Sequence, residues 1–158
     1  MNQLIRQAER EKKVWNTGSA PFRISHEIDS WRATVAVRCQ IEHLESGLAL
    51  LDTGAEWCVI GGVTATEIRD KIGQPIASSR ISTRLGTIEG YLHHVNITLI
   101  AGGEDSGDNL TVETTSFVSE EWEGPIVLGY RGFLERIRFA LDTGVIPGAQ
   151  IFYFGLAE

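Results

Sequence analysis

Apolar and polar residues alternate between residues 31 and 41, and this alternation constrains the fold more than any other feature of the chain. The odd positions are all apolar: Trp31, Ala33, Val35, Val37, Cys39 and Ile41. Successive side chains of a β-strand point to opposite faces, so a period of two indicates a strand with one buried face. The sequence therefore predicts a half-buried strand over this segment.

Several other segments predict strands, and one predicts a clear helix. Residues 48–51 form a continuous apolar run, which is typical of a strand buried on both faces. Thr64 and Glu67 have the spacing of a capping box, so we expect a helix over residues 65–72, ahead of Gly73. A second, short helix is expected over residues 132–137. The remaining predicted strands are residues 57–60, 110–118, 126–128, 139–141 and 151–154.

Two alternating runs flank a segment that begins and ends with glycine. Ile81, Thr83 and Leu85 alternate with polar residues before Gly86, and a second apolar run over residues 91–99 follows Gly90. This arrangement predicts a β-hairpin whose tip is residues 86–90. Taken together, the segments predict a mainly β fold with one or two short helices.

Length and charge exclude some classes of function. The 158 residues suit one domain, and the formal net charge of -7 is unfavourable for binding nucleic acid. The chain has no apolar run long enough to span a membrane and no signal peptide, so we expect a cytoplasmic protein without a membrane partner. We expect residues 1–25 to form an N-terminal arm, helical or loose, ahead of a domain at residues 26–158. Cys39 and Cys58 lack a paired spacing and are expected to be packing residues.

Asp52 is the strongest candidate for a residue that carries chemistry. It directly follows a predicted buried strand and precedes Gly54, which places a carboxylate at the mouth of the core. The tripeptide Asp-Thr-Gly is weak evidence alone, and it occurs again at residues 142–144. Asp142 lies between two terminal strands and is followed by Gly144 and Pro147, so we expect it to be a turn residue.

The segment around Asp52 resembles a known family. Residues 49–60, Ala-Leu-Leu-Asp-Thr-Gly-Ala-Glu-Trp-Cys-Val-Ile, resemble the active-site segment of the retropepsins, the retroviral-type aspartic peptidases. Residues 126–129 match the two apolar residues and glycine that cross behind this segment in the family. Residues 86–91 resemble the flap hairpin that closes over substrate. The three elements occur in the family's order, and the resemblance is closest to stand-alone bacterial members.

The resemblance implies a closed β barrel with a flap, and it implies which residues form the site. The catalytic residues would be Asp52, Thr53 and Gly54. Members of the family often have Gly-Arg-Asp or Gly-Arg-Asn after the apolar pair, whereas this chain has Gly129, Tyr130, Arg131 and Gly132. No metal or other cofactor is implied. The substrate would be a peptide or protein, bound by Ala55, Glu56, Leu85, Gly86, Thr87 and Ile88.

Hydrolysis by two carboxylates requires two facing aspartates that share one proton. Only 16 residues follow Asp142, too few for a second lobe, so we expect a homodimer in which each chain contributes Asp52. As the resemblance implies, the Thr53 hydroxyls would lock the two loops together. The expected function is an aspartic endopeptidase. The alternative is a catalytically silent dimer of the same fold that binds peptides or proteins. Consecutive residues of a strand point apart, so His93 and His94 are not expected to share a metal ion.

Overall fold

The computed structural model describes residues 15–26, 33–45, 47–84, 86–103, 105–146 and 148–157. Within these ranges the chain is mainly β, as the sequence predicts. Three parts of the sequence prediction lie outside the described ranges: residues 1–14 of the expected arm, the predicted strand start at Trp31, and Leu85. None of the helices in the described ranges is long and apolar enough to cross a bilayer.

The described elements follow one another in chain order. They are β1 (Gly18–Pro21), β2 (Arg23–His26), β3 (Ala33–Ile41), β4 (Gly47–Leu51), β5 (Cys58–Gly61), α1 (Gly62–Ile68), β6 (Ala77–Thr83), β7 (Gly86–Leu99), β8 (Leu110–Ser119), β9 (Ile126–Leu128), a 3-10 helix (Leu134–Arg136), β10 (Ile137–Asp142) and β11 (Ile151–Leu156).

Strand β3 carries the predicted alternation of buried and exposed side chains. Val37, Cys39 and Ile41 are buried, whereas Arg38 between them is exposed. The strands predicted from the short apolar runs are confirmed, and the 3-10 helix lies inside the segment predicted to be a short helix. The end of the expected arm differs from the prediction, because β1 pairs with β11 and β2 pairs with β3.

The predicted start of helix α1 is wrong. The helix begins at Gly62, and its N-cap is Gly61, which makes no side-chain capping bond. Thr64 is therefore inside the first turn and cannot act as the cap. The chain passes directly from β5 into α1, and Gly62 makes that bend with a φ of +53°. The helix also ends at Ile68, earlier than the predicted Ile72.

The hairpin is present, but its turn is not where the sequence predicts it. Strands β6 and β7 pair from Ala77 opposite Leu92 to Thr83 opposite Gly86. The turn therefore lies between Thr83 and Gly86, and residues 86–90, expected at the tip, belong to β7. The hydroxyl of Thr83 donates a hydrogen bond to the carbonyl oxygen of Gly86 across this turn, at 2.8 Å.

A ring of hydrogen-bonded strands surrounds the main core. The eight-stranded sheet has the order β2-β3-β4-β9-β5-β8-β7-β6, and an additional pairing of β3 with β7 closes the six strands from β3 to β7 in this order into a ring. β2 and β6 lie outside this ring. Buried side chains from the ring strands, among them Val37, Ile60, Ile97 and Leu128, pack in one cluster. Burial of this apolar surface is the main source of stability for such a fold.

A smaller antiparallel sheet has the order β1-β11-β10. Its central strand, β11, places Phe152 and Phe154 in the main core cluster. Its edge strand, β10, ends at Asp142, the first residue of the second Asp-Thr-Gly tripeptide. The two copies of this tripeptide therefore lie on different sheets, since Asp52 follows β4 of the larger one.

Candidate active site

Asp52 is the first residue after β4, at the carboxyl end of that strand. Its backbone N–H donates a hydrogen bond to the carbonyl oxygen of Leu128 at 3.1 Å, which continues the parallel pairing of β4 with β9. Its own carbonyl oxygen accepts from the N–H of Ala55 at 3.2 Å and closes a turn. The backbone of Asp52 is thus fixed on both sides while the residue stays exposed.

The carboxylate of Asp52 is oriented by the residue two positions later. Its Oδ1 accepts a hydrogen bond from the backbone N–H of Gly54 at 2.9 Å. A Cβ atom at position 54 would lie 3.2 Å from the same oxygen, which is closer than ordinary van der Waals contact. Glycine at this position therefore leaves the carboxylate room to accept the bond. Thr53, between them, is exposed at the turn.

Strand β9 lies between β4 and β5 and supports the loop that carries Asp52. Leu50 pairs with Val127 on one side of β9, and Val59 pairs with the same residue on the other. Just after β9, the N–H groups of Tyr130 and Arg131 donate hydrogen bonds to the carbonyl oxygens of Ala55 and Glu56, both at 2.8 Å. The loop and the segment after β9 are therefore joined along their backbones.

Gly129 allows this close approach. It is buried, and a Cβ atom there would overlap the carbonyl group of Trp57 and lie 2.9 Å from the backbone nitrogen of Cys58. Backbone atoms cannot move aside as the end of a flexible side chain can. Glycine at this position is therefore required by packing between two backbone segments.

Glu56, predicted to bind substrate, already has a partner in its own chain. Its carboxylate pairs with the guanidinium of Arg131 at 3.0 Å, and both side chains are more than half exposed. The same guanidinium lies 4.9 Å from the centre of the Trp57 ring, a cation–π distance. An exposed pair of this kind adds little stability, so its main effect is to orient Arg131 and Trp57 at the edge of the site.

Asp52 opens into a cleft of about 490 Å³, called the Asp52 cleft below. One side is the loop at residues 52–57, and the opposite side is strand β6 of the hairpin. Of the predicted substrate-binding residues, Ala55 and Glu56 line it. The full lining is Asp52, Gly54, Ala55, Glu56, Trp57, Val59, Ser79, Arg80, Ile81, Ser82, Thr83, Trp122 and Val127.

Gly86, Thr87 and Ile88, the described hairpin residues predicted to bind substrate, do not line this cleft. They are in β7, whereas residues 79–83 of β6 form the wall. Ile88 lies opposite Ile81 and packs on a small apolar cluster of Val59, Phe117 and Val127. In the sequence, the alternation of Ile81 and Thr83 could have indicated that this strand, β6, lines the cleft. Trp122 had no such signal, because it lies outside any strand or helix.

The second Asp-Thr-Gly reproduces the local hydrogen bond but not the surroundings. Oδ1 of Asp142 accepts from the N–H of Gly144 at 2.9 Å, the distance found between Asp52 and Gly54. Gly144 has a φ of +69°, in the left-handed region that favours glycine, which fits the predicted turn. Asp142 is not one of the described residues that line the Asp52 cleft. The tripeptide therefore encodes a turn, and its position in the fold decides what the carboxylate faces.

Two thiols are buried beneath the site. Burial raises the pKa of Cys58 from 9.0 to about 11, and the neighbouring polar groups of Gly129, Thr114 and Ser116 partly oppose the increase. Burial also raises the pKa of Cys39 to about 12, with a smaller contribution from Cys58. Both cysteines are free and neutral at ordinary pH, and both belong to the main core cluster, as expected for packing residues.

The described residues thus define a mainly β protein in which an exposed, oriented carboxylate opens into a partly apolar cleft. The two adjacent histidines considered for metal binding have different surroundings: His93 is half-buried, with its Nδ1 3.1 Å from the carbonyl oxygen of Gly73, whereas His94 is exposed.

No family model matches this chain, and a search of the curated proteins finds no match. The site geometry, together with the sequence resemblance, is therefore the basis for a functional proposal.

Proposed function

We propose that this protein is an aspartic endopeptidase that acts as a homodimer, with one catalytic Asp52 from each chain. The observation that supports this function best is the position of Asp52. Its carboxylate is exposed at the end of a buried strand, accepts a backbone hydrogen bond, and faces a cleft of about 490 Å³. A cleft of that size can hold several side chains of an extended peptide.

In the proposed reaction two Asp52 carboxyl groups hold one water molecule between them. The ionised group takes a proton from the water as the water oxygen adds to the scissile carbonyl carbon, and the neutral group donates its proton to the carbonyl oxygen. The resulting diol collapses, the carbon–nitrogen bond breaks, and a proton passes to the leaving nitrogen. Two carboxyl groups so close together cannot both carry a negative charge, so the pair shares one proton.

A second copy is needed because one chain supplies one such group to this cleft. Asp52 is the only aspartate among the described residues that line it. A twofold axis through the loop at residues 52–54 would bring the same residue from each chain together. In this arrangement the exposed Thr53 of each chain would contact its symmetry mate and hold the two loops in register.

The proposal also gives roles to the ring of strands and to the hairpin. The six-stranded ring would be the closed barrel of a retropepsin-like fold, with β9 behind the active-site loop. The β6–β7 hairpin would be the flap. Strand β6 is the last strand of its sheet, so its outer backbone edge is available to pair with an extended substrate. Closing the hairpin would then exclude water from the reacting groups.

The first experiment compares two matched substitutions, Asp52→Asn and Asp142→Asn. Each removes one negative charge from an Asp-Thr-Gly whose aspartate accepts the same hydrogen bond. Cleavage of a mixed peptide library is followed by mass spectrometry between pH 3 and pH 8. We expect Asp142→Asn to cleave like the wild type and Asp52→Asn to cleave nothing. Equal cleavage by both variants would rule out the proposed catalytic role of Asp52.

The second experiment tests whether two chains share one site. Wild-type protein is mixed with a ninefold excess of Asp52→Asn, and the subunits are allowed to exchange. Most wild-type chains then belong to mixed dimers, so cleavage per wild-type chain should fall to about one tenth. The same excess of Asp142→Asn, itself active, is the control and should not lower it. Unchanged cleavage after verified exchange would contradict a shared site. A dimer that binds library peptides but never cleaves them would favour the silent binding module.

A further inference from the structure

Trp122 forms one wall of the Asp52 cleft, although it is far from Asp52 in sequence. It follows β8, is half-buried, and packs against the apolar cluster of Val59, Phe117 and Val127. Two of those residues, Val59 and Val127, line the cleft as well. Ile81 of the hairpin contributes a further apolar side chain from the opposite side. Trp122 is therefore part of an apolar surface that begins beside the carboxylate.

The position of the Trp122 indole is fixed from several sides. Its Nε1–H donates a hydrogen bond to the carbonyl oxygen of Pro125 at 2.8 Å. A Cβ atom on Gly61 or on Gly124 would overlap Trp122, so both glycines are in close contact with this residue. A ring held in this way cannot rotate aside for a side chain that does not fit. It is a rigid wall of the cleft.

The hydrogen bond to Pro125 also determines the chemistry of that wall. The indole has one N–H group, and that group is already bonded within the chain. What remains to face the cleft is apolar, as are Val59, Val127 and Ile81. A polar substrate side chain placed against these four side chains would lose its bonds to water and gain none from them. The polar groups of the cleft on β6 belong to Ser79, Arg80, Ser82 and Thr83.

We propose that Trp122 is a specificity-determining residue whose indole forms the fixed wall of an apolar subsite in the Asp52 cleft. The subsite accepts a bulky apolar side chain close to the scissile bond and rejects a polar side chain of the same shape. Trp57, the other indole of the cleft, is placed differently, because Arg131 lies over its ring. This inference rests on the proposed function, since it assigns the side chain that such an enzyme would select.

The experiment uses peptide pairs in which one residue flanking the cleavage site is leucine or asparagine, which have nearly the same shape. The measured quantity is the leucine-to-asparagine ratio of kcat/KM. We expect a ratio of about 10 to 100 for the wild type, because an unpaired polar group is costly to bury. Trp122→Ala should lower the ratio at least about fivefold, whereas Trp122→Phe should keep most of it. An unchanged ratio in Trp122→Ala would overturn the inference.

Two further variants separate the indole from general effects of substitution. Trp15→Ala removes an indole that packs against Tyr153, and its ratio should match the wild type. Gly124→Ala keeps Trp122 but displaces its ring, so it should lower the ratio as Trp122→Ala does. Trp122→Leu serves if Trp122→Ala does not fold, and it too should lower the ratio.

Binding measurements distinguish failure of this inference from failure of the proposed function. If the wild type cleaves no peptide, the endopeptidase proposal fails, and the same peptide pairs are titrated into Asp52→Asn by calorimetry. Tighter binding of leucine peptides that is lost in Asp52→Asn/Trp122→Ala would still support the subsite. Equal binding of both peptides, or a preference that survives loss of the indole, would overturn it.

Discussion

Gly129→Ala tests the contact that holds the Asp52 loop against β9. Gly129 is buried, and the added Cβ atom would overlap the carbonyl group of Trp57. The two segments would have to separate by a substantial part of an ångström, because both neighbouring groups are backbone. The hydrogen bonds from Tyr130 to Ala55 and from Arg131 to Glu56 lie next to this contact and would lengthen.

The expected loss of stability follows from these two effects. Forcing a methyl group into a closely packed site typically costs ~1–3 kcal/mol. Each weakened backbone hydrogen bond adds ~0.5–1.5 kcal/mol, although the two bonds will not be lost completely. We therefore expect Gly129→Ala to lower the free energy of unfolding by about 2–4 kcal/mol.

Urea denaturation followed by circular dichroism measures this change, and Gly47→Ala is the matched control. Gly47 begins the strand that leads to Asp52, and a Cβ atom there has no neighbour within 4 Å. The control should stay within about 0.5 kcal/mol of the wild type. Equal m-values in the three proteins are required for the comparison. If Gly129→Ala were as stable as Gly47→Ala, the inferred backbone contact would be wrong.

Two further predictions concern the site and the thiols beneath it. Gly54→Ala places a Cβ atom 3.2 Å from Oδ1 of Asp52, so peptide cleavage should fall at least about tenfold while the urea midpoint barely changes. A matching loss of stability would show a general folding defect instead. Cys39 and Cys58 have raised pKa values of about 12 and about 11, so their unfolded thiols, near 9.0, lose protons first. Their contribution to stability is complete below pH 9 and is lost as the pH rises towards 11–12, by up to about 1.4 kcal/mol per thiol per pH unit. Cys58→Ala should flatten that slope, measured by urea denaturation at several pH values, and an unchanged slope would contradict the predicted shift.

The parts of the fold that the sequence predicts well are those with strong local patterns. The alternation in β3 and the apolar runs of β4 and β9 depend on side chains that must be buried, so their periodicity is visible in the chain itself. The position of Asp52 at the end of β4 follows from the same pattern. Gly129 was assigned from a resemblance, and the structure gives it a physical reason in the backbone of Trp57.

The errors occur where the reason for the structure is distant in sequence. Thr64 and Glu67 have the spacing of a capping box, but β5 runs directly into α1 and leaves no loop for such a cap. The glycines at 86 and 90 suggested a hairpin tip. Instead, Gly90 lies within β7, where a Cβ atom would meet Phe117 at 2.7 Å. Cross-strand contacts of this kind cannot be read from a local pattern.

The lining of the cleft was the hardest part to predict. Ser79–Thr83, Trp122 and Val127 come together only through the order of the strands in the sheet. The wall formed by β6 depends on that strand being the last in its sheet, and the position of Trp122 depends on contacts with Gly61 and Gly124, which are far apart in sequence. A candidate catalytic residue can be recognised in the sequence from its type and its neighbours. The residues that surround a ligand are brought together by the order of the strands, which the local sequence does not reveal.

The strand pairing of the β6–β7 hairpin differs between its tip and its base. From Tyr91 to Leu99 β7 is paired with β8, and Tyr91 and Leu92 pair with β6 as well, but residues 86–90 pair only with β6, over five register positions. A two-stranded ribbon is marginally stable alone, and this one is held down mainly by Ile81 and Ile88 resting on the apolar cluster. Lifting it therefore breaks a small apolar contact and the hydrogen bond from the Ser119 hydroxyl to the carbonyl oxygen of Glu89, and it leaves the ring of strands intact. In the proposed enzyme, moving this ribbon would widen the Asp52 cleft at a small fraction of the cost of unfolding, and a chain lying along β6 would supply the missing third strand.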